Sequence, residues 1–384
     1  KNMIKFFTVV LMTALLAAPN LIQAQEDEDG VTWGGALRYN IFDKSWVDTK
    51  TQPTATWDTW RLNADGSYSG VDFSFEYRFY PTSNNSHFIH HGYLGYGFGE
   101  NEDLYMKLGV SQVPFGITKF ASHSWWFQIP YYVGLEDDYD MGIKFDYTGI
   151  EDLTLNFAYF RQMEPKGVPN AAARYSYDVL SSSNANIREH NQINARAAYN
   201  LNENIEVGVS AQVGQLYNET ADTLPNVSYD PDLSTAFAGH IVANFGNFNF
   251  KGEYIKYNYA AKNDLGNELD VVSMGAYGLP YNVAAEASIY VAGLAYSIPV
   301  EWGPITNIQP YFDWSMISKA EDNFENTVHM VPGCLISAGA IYTYVDYAIG
   351  KNNAWLGSWT NGLAAGSSDA DFESRFNINI GYYF

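Results

Sequence analysis

Apolar and polar side chains alternate along most of this chain. Val71, Phe73, Phe75, Tyr77 and Phe79 occupy every second position, with Asp72, Ser74, Glu76 and Arg78 between them. Met141, Ile143, Phe145 and Tyr147 alternate in the same way with Asp140, Gly142, Lys144 and Asp146. The last nine residues, Phe376-Asn377-Ile378-Asn379-Ile380-Gly381-Tyr382-Tyr383-Phe384, repeat the pattern. A period of two marks a strand with one greasy and one polar face. Sixteen such segments follow one another, at about 31–41, 55–64, 69–80, 88–98, 103–112, 139–147, 152–162, 189–200, 204–216, 235–245, 248–259, 286–298, 305–318, 326–338, 340–350 and 373–384. Their ends carry ~2–4 residues of latitude, and fourteen or eighteen strands are the alternatives. The facing of 88–98, 286–298 and 326–338 is ambiguous, and Pro332 sits poorly inside a strand.

The connections alternate too. Short turns are predicted at Asn63–Ser67, Gly99–Glu102, Thr148–Glu151, Leu201–Asn204, Gly246–Asn247 and Val300–Gly303. Between them lie longer loops at 42–54, 81–87, 113–138, 163–188, 217–234, 260–285, 319–325 and 351–372. Strands of ~9–11 residues suit a tilted bilayer crossing. One short rim and one long rim, with an even strand number, describe a bacterial membrane barrel with its turns in the periplasm. The predicted fold is all-β: a closed, antiparallel, transmembrane barrel.

Composition supports strands rather than helices. The chain has 30 Tyr, 23 Phe, 10 Trp and 32 Gly, with a mean hydropathy of −0.23. Lys1 and Lys5 precede the apolar run from Phe6 to Pro19, and Ile22-Gln23-Ala24 follows. That run falls short of the ~20 residues of a helical anchor. It predicts a secretory signal peptide at 1–24, cleaved near Ala24, ahead of a single barrel domain at 25–384. The acidic stretch Glu26–Asp29 reads as a solvated tail. A single cysteine, Cys334, excludes an intramolecular disulfide. The net charge of −22 argues against a nucleic-acid partner.

Sixteen strands enclose a lumen wide enough for water. The strand parity turns inward the bases Arg38, Arg61, Arg78, Lys107, Lys144, Arg196, Lys251 and Arg375. It also turns inward the acids Asp72, Glu76, Asp140, Asp146, Glu206, Glu253, Asp313 and Asp346. Eight against eight leaves the surplus acid to loops and turns. A balanced wall suggests a transverse field rather than a single-sign filter. Cross-strand pairing that merely stiffens the wall explains any one of these charges equally well.

Loop 113–138 is too aromatic to wave in solvent. It is expected to fold into the barrel. Lys119, His123, Glu136, Asp137 and Asp138 are then candidates for the polar lining of a constriction, with Trp125, Trp126 and Tyr131 beside them. Those rings, with Phe127, either pack the loop against the wall or offer faces on which sugars stack.

The passage Gly109-Val110-Ser111-Gln112-Val113-Pro114-Phe115-Gly116 resembles the G-x-x-x-V-P-F-G stretch of the porin O and P family. Leu135-Glu136-Asp137-Asp138-Tyr139-Asp140-Met141-Gly142 is similar to variants of that family in Bacteroidetes-like bacteria. The likeness covers about 103–147; elsewhere only the strand–turn rhythm matches. It implies a sixteen-stranded, homotrimeric diffusion channel of the bacterial outer membrane, whose third loop sets the narrowest point. The ending on Phe384 resembles the terminal strand of outer-membrane barrels, where the final aromatic is an assembly signal. The implied partners are the lipid bilayer and lipopolysaccharide, the outer-membrane assembly machinery and small hydrophilic solutes. Phosphate selectivity in that family rests on arginine and lysine ladders. The balanced lumen departs from that, so phosphate binding is not carried over.

Other sites are weaker. His87, His90 and His91 cluster, but neighbours on an extended strand point apart, so at most two converge on a metal. Asp264, Asn267, Glu268 and Asp270 lack the spacing of a calcium loop. No metal or cofactor is therefore expected. No nucleophile elbow, zinc-protease histidine pair or phosphate loop occurs, and the chain is not expected to be an enzyme. The expectation is passive diffusion of small hydrophilic solutes and ions. The alternative is a substrate-specific channel for oligosaccharides or organic acids and anions.

Overall fold

The structure is a computed structural model that describes residues 30–118 and 120–384. The expected signal peptide, the acidic tail and Lys119 lie outside the described residues. Eight wall strands carry the first half of the barrel. They are β1 (Gly30–Lys44), β2 (Thr54–Tyr68), β3 (Val71–Tyr80), β4 (Ser86–Phe98), β5 (Leu104–Gln112), β6 (Tyr139–Ile150), β7 (Leu153–Met163) and β9 (Ile187–Asn202). The second half is β10 (Ile205–Asn218), β11 (Leu233–Phe245), β12 (Phe248–Asn258), β15 (Glu286–Tyr296) with β16 (Ile298–Trp302), β17 (Ile305–Lys319), β18 (Thr327–Ala338), β19 (Ile341–Lys351) and β20 (Glu373–Tyr383). β15 and β16 both pair with β17 and are two stretches of one wall strand, so the wall has sixteen. Each strand pairs antiparallel with the next. The first and last close the ring, from Ala36↔Tyr383 to Lys44↔Arg375. At the seam the terminal Phe384 exchanges both backbone hydrogen bonds with Gly35, at 2.8 and 3.1 Å.

All sixteen expected segments are wall strands, but several run further than expected. β2 continues through Asn63–Ser67, which was expected to turn; the chain reverses instead at Ser69 and Gly70, both at positive φ. β6 likewise runs to Ile150, and the turn falls at Asp152 with φ 61°. Tight hairpins select residues that tolerate positive φ, and that geometry overrides composition in placing the reversal. Outside, the barrel shows the belt that the alternation predicts. Leu94, Leu108, Val209, Phe237, Leu294 and Phe312 are exposed between aromatic residues near the rims, such as Tyr68, Phe245 and Trp302 at the short turns. An apolar band with aromatic girdles is how such a barrel meets lipid.

The inside differs from expectation. Four long loops, not one, fold into the long-loop half of the barrel. Loop 113–138 carries the one-turn helix α1 (Ile129–Tyr132). The loop after β7 supplies β8 (Asp178–Leu180), and the loop after β12 supplies β13 (Val271–Ala276) and β14 (Leu279–Ala284). These form a separate three-stranded sheet, with β13 in the middle. The loop before β20 docks on it: Asn282 donates to the Thr360 carbonyl and Ala284 to that of Leu363. Ile129, Val133, Leu135, Tyr177, Val179, Val272, Met274, Val283, Leu356 and Leu363 form a buried core within the barrel.

This core explains the ambiguous strands. Ala287, Ile289 and Val291 of β15 point inward and are buried, as are Thr327, His329 and Val331 of β18. Their inner face meets loop side chains, not water: it is apolar in β15, and in β18 Val331 joins the buried Thr327 and His329 there. At Pro332 the β18–β19 pairing lapses, running to Met330↔Ile349 and resuming at Gly333↔Asp346. A residue without an N–H cannot complete that ladder.

Candidate functional site

Between loop 113–138 and the wall strands β20, β1, β2 and β3 lies a cavity of about 410 Å³. Its wall side carries Arg375, Arg38, Arg61 and Arg78, one from each of four neighbouring strands. Arg61 and Arg78 are directly opposed across β2 and β3. Like charges in that position oppose folding, so the arrangement is not there for stability. Three carboxylates relieve it: Asp58 lies 2.9 Å from Arg38, Glu76 grips Arg78, and Asp137 of the inward loop lines the same cavity and acts on Arg78. Arg61 and Arg375 make no ion pair among the described residues. Arg375 is instead clasped by the rings of Phe42 and Trp126, at 4.1 and 4.9 Å, and Arg78 lies 4.3 Å over Tyr175. Cation–π contacts hold the guanidinium planes in place without cancelling their charge. The buried Nε atoms of Arg38, Arg61 and Arg375 find no hydrogen-bond acceptor among the described protein atoms.

The other side of the cavity is the inward loop. Its first anchor is the Val113-Pro114-Phe115-Gly116 stretch. Gly116 N–H donates to Ser210 Oγ at 3.0 Å, its carbonyl accepts from Arg196 Nε at 2.8 Å, and Ile117 N–H donates to Glu253 Oε1 at 3.1 Å. The second anchor is Asp313, whose Oδ2 accepts from the backbone N–H groups of His123 and Ser124 at 2.7 and 2.8 Å. The loop therefore crosses the barrel from β5 to β17 and is pinned on both sides.

The sequence-predicted candidates separate into distinct groups. His123, Trp125, Trp126, Tyr131 and Asp137 reach the cavity. His123 is held there by Asp313 at 2.8 Å and Asn249 at 2.7 Å. Asp137 accepts from Gln112 Nε2 at 2.8 Å and from the Tyr175 hydroxyl, and burial pushes its carboxyl up to about 6. Glu136 does not line the cavity. It is a brace, accepting from Ala121 N–H at 3.0 Å, and burial beside Glu253 raises its carboxyl well above the usual range. Asp138 is also off the cavity, beside Asp140 and Asp178. Phe127 stacks on Tyr131 at 3.7 Å, so these rings largely pack one another.

The lumen charges likewise sort by place. Lys107 and Lys144 both lie 3.5 Å from Asp146. Arg196 pairs with Glu206 at 3.2 Å, and Asp72 accepts from the Tyr105 hydroxyl at 2.6 Å. The balance of inward charge is thus an average over unlike neighbourhoods: four arginines gather on one wall with Asp58 and Glu76, while Lys107, Lys144 and Arg196 pair with acids elsewhere.

Sequence reading missed Asp58 and misjudged the histidines, for one reason. Arg38 pairs with Thr59 and Tyr39 with Trp57, leaving Asp58 as a bulge residue. Glu76 pairs with His91 and Tyr77 with Ile89, leaving His90. A bulge breaks the strict alternation of faces. Adjacent His90 and His91 therefore meet, with Nδ1 atoms 2.8 Å apart, while His87 bonds Tyr77 instead. Tyr175, Tyr177 and Tyr277 also line the cavity; they come from loops that no period-two reading could place.

No family model matches the chain, and no curated protein matches it. Solved structures do. An anion-selective porin from Comamonas acidovorans is 13% identical over 93% of this chain and 100% of its own, with a TM-score of 0.57. The outer-membrane channel DcaP of Acinetobacter baumannii is 12% identical over 94% and 99%, with a TM-score of 0.61. OmpT of Vibrio cholerae in its trimer form is 13% identical over 93% and 100%, with a TM-score of 0.56. The likeness at these identities is one of fold: the chain adopts the sixteen-stranded barrel of outer-membrane porins.

Proposed function

We propose that this chain is a bacterial outer-membrane porin through which small hydrophilic solutes and ions diffuse passively. The observation that carries the reading is the closed barrel with an apolar exterior and an arginine-walled cavity beside an inward loop. Purified protein in planar bilayers should give discrete conductance steps. A barrel that inserts but passes no current overturns the reading.

A second reading has its own support. Four guanidiniums against Asp58, Glu76 and Asp137 leave the cavity's balance on the side of anions, and the surrounding rings suit a substrate with a flat or apolar body. One structural neighbour is an anion-selective porin. On this reading the channel prefers organic anions over neutral sugars of equal size. Liposome swelling with a matched solute panel separates the two: entry graded by size alone supports the first, and one favoured acid the second. The V-P-F-G stretch supports membership of the porin O and P family. A homotrimer fits the trimer form of OmpT, and Phe384 serves assembly by closing the seam.

A further inference from the structure

We propose that Asp138, Asp140 and Asp178 form a calcium site that staples the inward loops to the barrel wall. The three carboxyls come from the end of loop 113–138, the start of β6 and the short strand β8. Each is buried, and each brings an oxygen within 4.8 Å of the other two. An ion at the centre of a triangle with that edge sits about 2.8 Å from each corner, a few tenths of an ångström from the 2.3–2.6 Å of Ca²⁺–oxygen contacts. A small closure of the loop reaches it.

Two further observations point to a cation. The first is unmet oxygen. Asp140 and Asp178 are each 1% exposed, yet Oδ1 of each has no hydrogen-bond donor among the described residues. Gln192 supplies the other oxygen of Asp140 at 3.1 Å, and Arg174 the other oxygen of Asp178. So each side chain is oriented through one oxygen and leaves the second without a donor. A buried carboxylate oxygen left unpaired is costly. The second is charge. Glu164 and Glu189 act on the same group, and Arg174 is the cation that pairs with Asp178 and Glu164. Five carboxyls against one guanidinium hold together either by taking up protons or by binding metal. The donors are hard oxygens throughout, and such a set suits Ca²⁺ over zinc or copper. Bound there, Ca²⁺ ties the third loop, the fourth loop and β6 into one unit.

The test uses the full chain purified in detergent, stripped with chelator and dialysed, then titrated with CaCl₂ by calorimetry and checked by metal mass analysis. The expected result is one tightly held Ca²⁺ per chain and a rise of several degrees in unfolding temperature. Asp140→Asn and Asp178→Asn should each weaken binding at least tenfold while keeping the heat-modifiable band of a folded barrel. Terbium luminescence on the unmodified protein, quenched by competing Ca²⁺, gives the same readout without any variant. The site is overturned if the stripped protein takes up no Ca²⁺ and melts identically with and without chelator, in which case protons hold the cluster. It is equally overturned if both variants bind Ca²⁺ as the parent does.

Discussion

At Gly116 the backbone has a φ of +59°, and a Cβ built there would sit 2.0 Å from Glu253 Oε1. The same residue holds Ser210 and Arg196 through its backbone. Glycine is required twice over, by conformation and by room. Gly116→Val should therefore lower folding stability by at least ~1–2 kcal/mol from the left-handed backbone alone. Denaturant unfolding in detergent measures it, and an unchanged midpoint would show that the loop does not depend on this anchor. The Val-Pro-Phe-Gly string was legible as a motif in the sequence, but its role was not. The partners Arg196, Ser210 and Glu253 lie 80 or more residues away. The same holds for charge. Alternation placed Arg38, Arg61, Arg78 and Arg375 on the inner face, whereas their convergence needed the β20–β1 closure, which no local pattern contains. Arg375→Gln shortens the side chain, and removes both the guanidinium held between Phe42 and Trp126 and its charge, which makes no ion pair among the described residues. It should shift the zero-current potential under a salt gradient toward cations by several millivolts. No shift would mean that ions do not pass this residue.

Among elements, the wall strands were legible and the loops were not. A wall strand is judged by one rule along its whole length: lipid on one side, polar lumen on the other. β3 and β6 obey it and read cleanly. β15 and β18 break it because their inner faces pack against loop side chains, and the alternation fades where the two environments become alike. The strands β8, β13 and β14 are three to six residues long and belong to an internal core, so membrane-length windows passed over them. The inward course of loop 113–138 was readable from its aromatic content, because such a surface cannot stay in water. Excising 119–132 removes α1 and this loop's own rings at the arginine-walled cavity. It should raise single-channel conductance severalfold in a barrel that still shows heat-modifiable mobility. Conductance equal to the parent would put this loop outside the permeation path.

For the whole molecule, two fields of opposite sign compete. The net charge is −22. Much of it sits on exposed residues of the long loops, among them Asp222, Asp230, Asp232, Glu268, Asp270, Glu321, Asp322, Asp369 and Asp371. The short rim adds Glu100, Glu151, Asp152 and Glu203. These rims draw cations. The arginine wall draws anions, but it is buried and local. Salt separates the two, because exposed charges are screened over a Debye length of ~30 Å at 0.01 M, ~8 Å at 0.15 M and ~3 Å at 1 M. Buried groups, with little room for counter-ions around them, are screened far less. At low salt the acidic rims should dominate what reaches the cavity, and the anion-to-cation permeability ratio should be small. As salt rises, the rims fade while an ion at the wall still meets Arg61 and Arg375 at contact distance. The ratio should therefore climb between 0.01 and 1 M KCl, measured as reversal potential at a fixed concentration gradient. In the Arg375→Gln protein the climb should be shallower. A ratio that falls with salt in the parent would mean that selectivity is set at the rims alone, and that the four guanidiniums act only as wall struts.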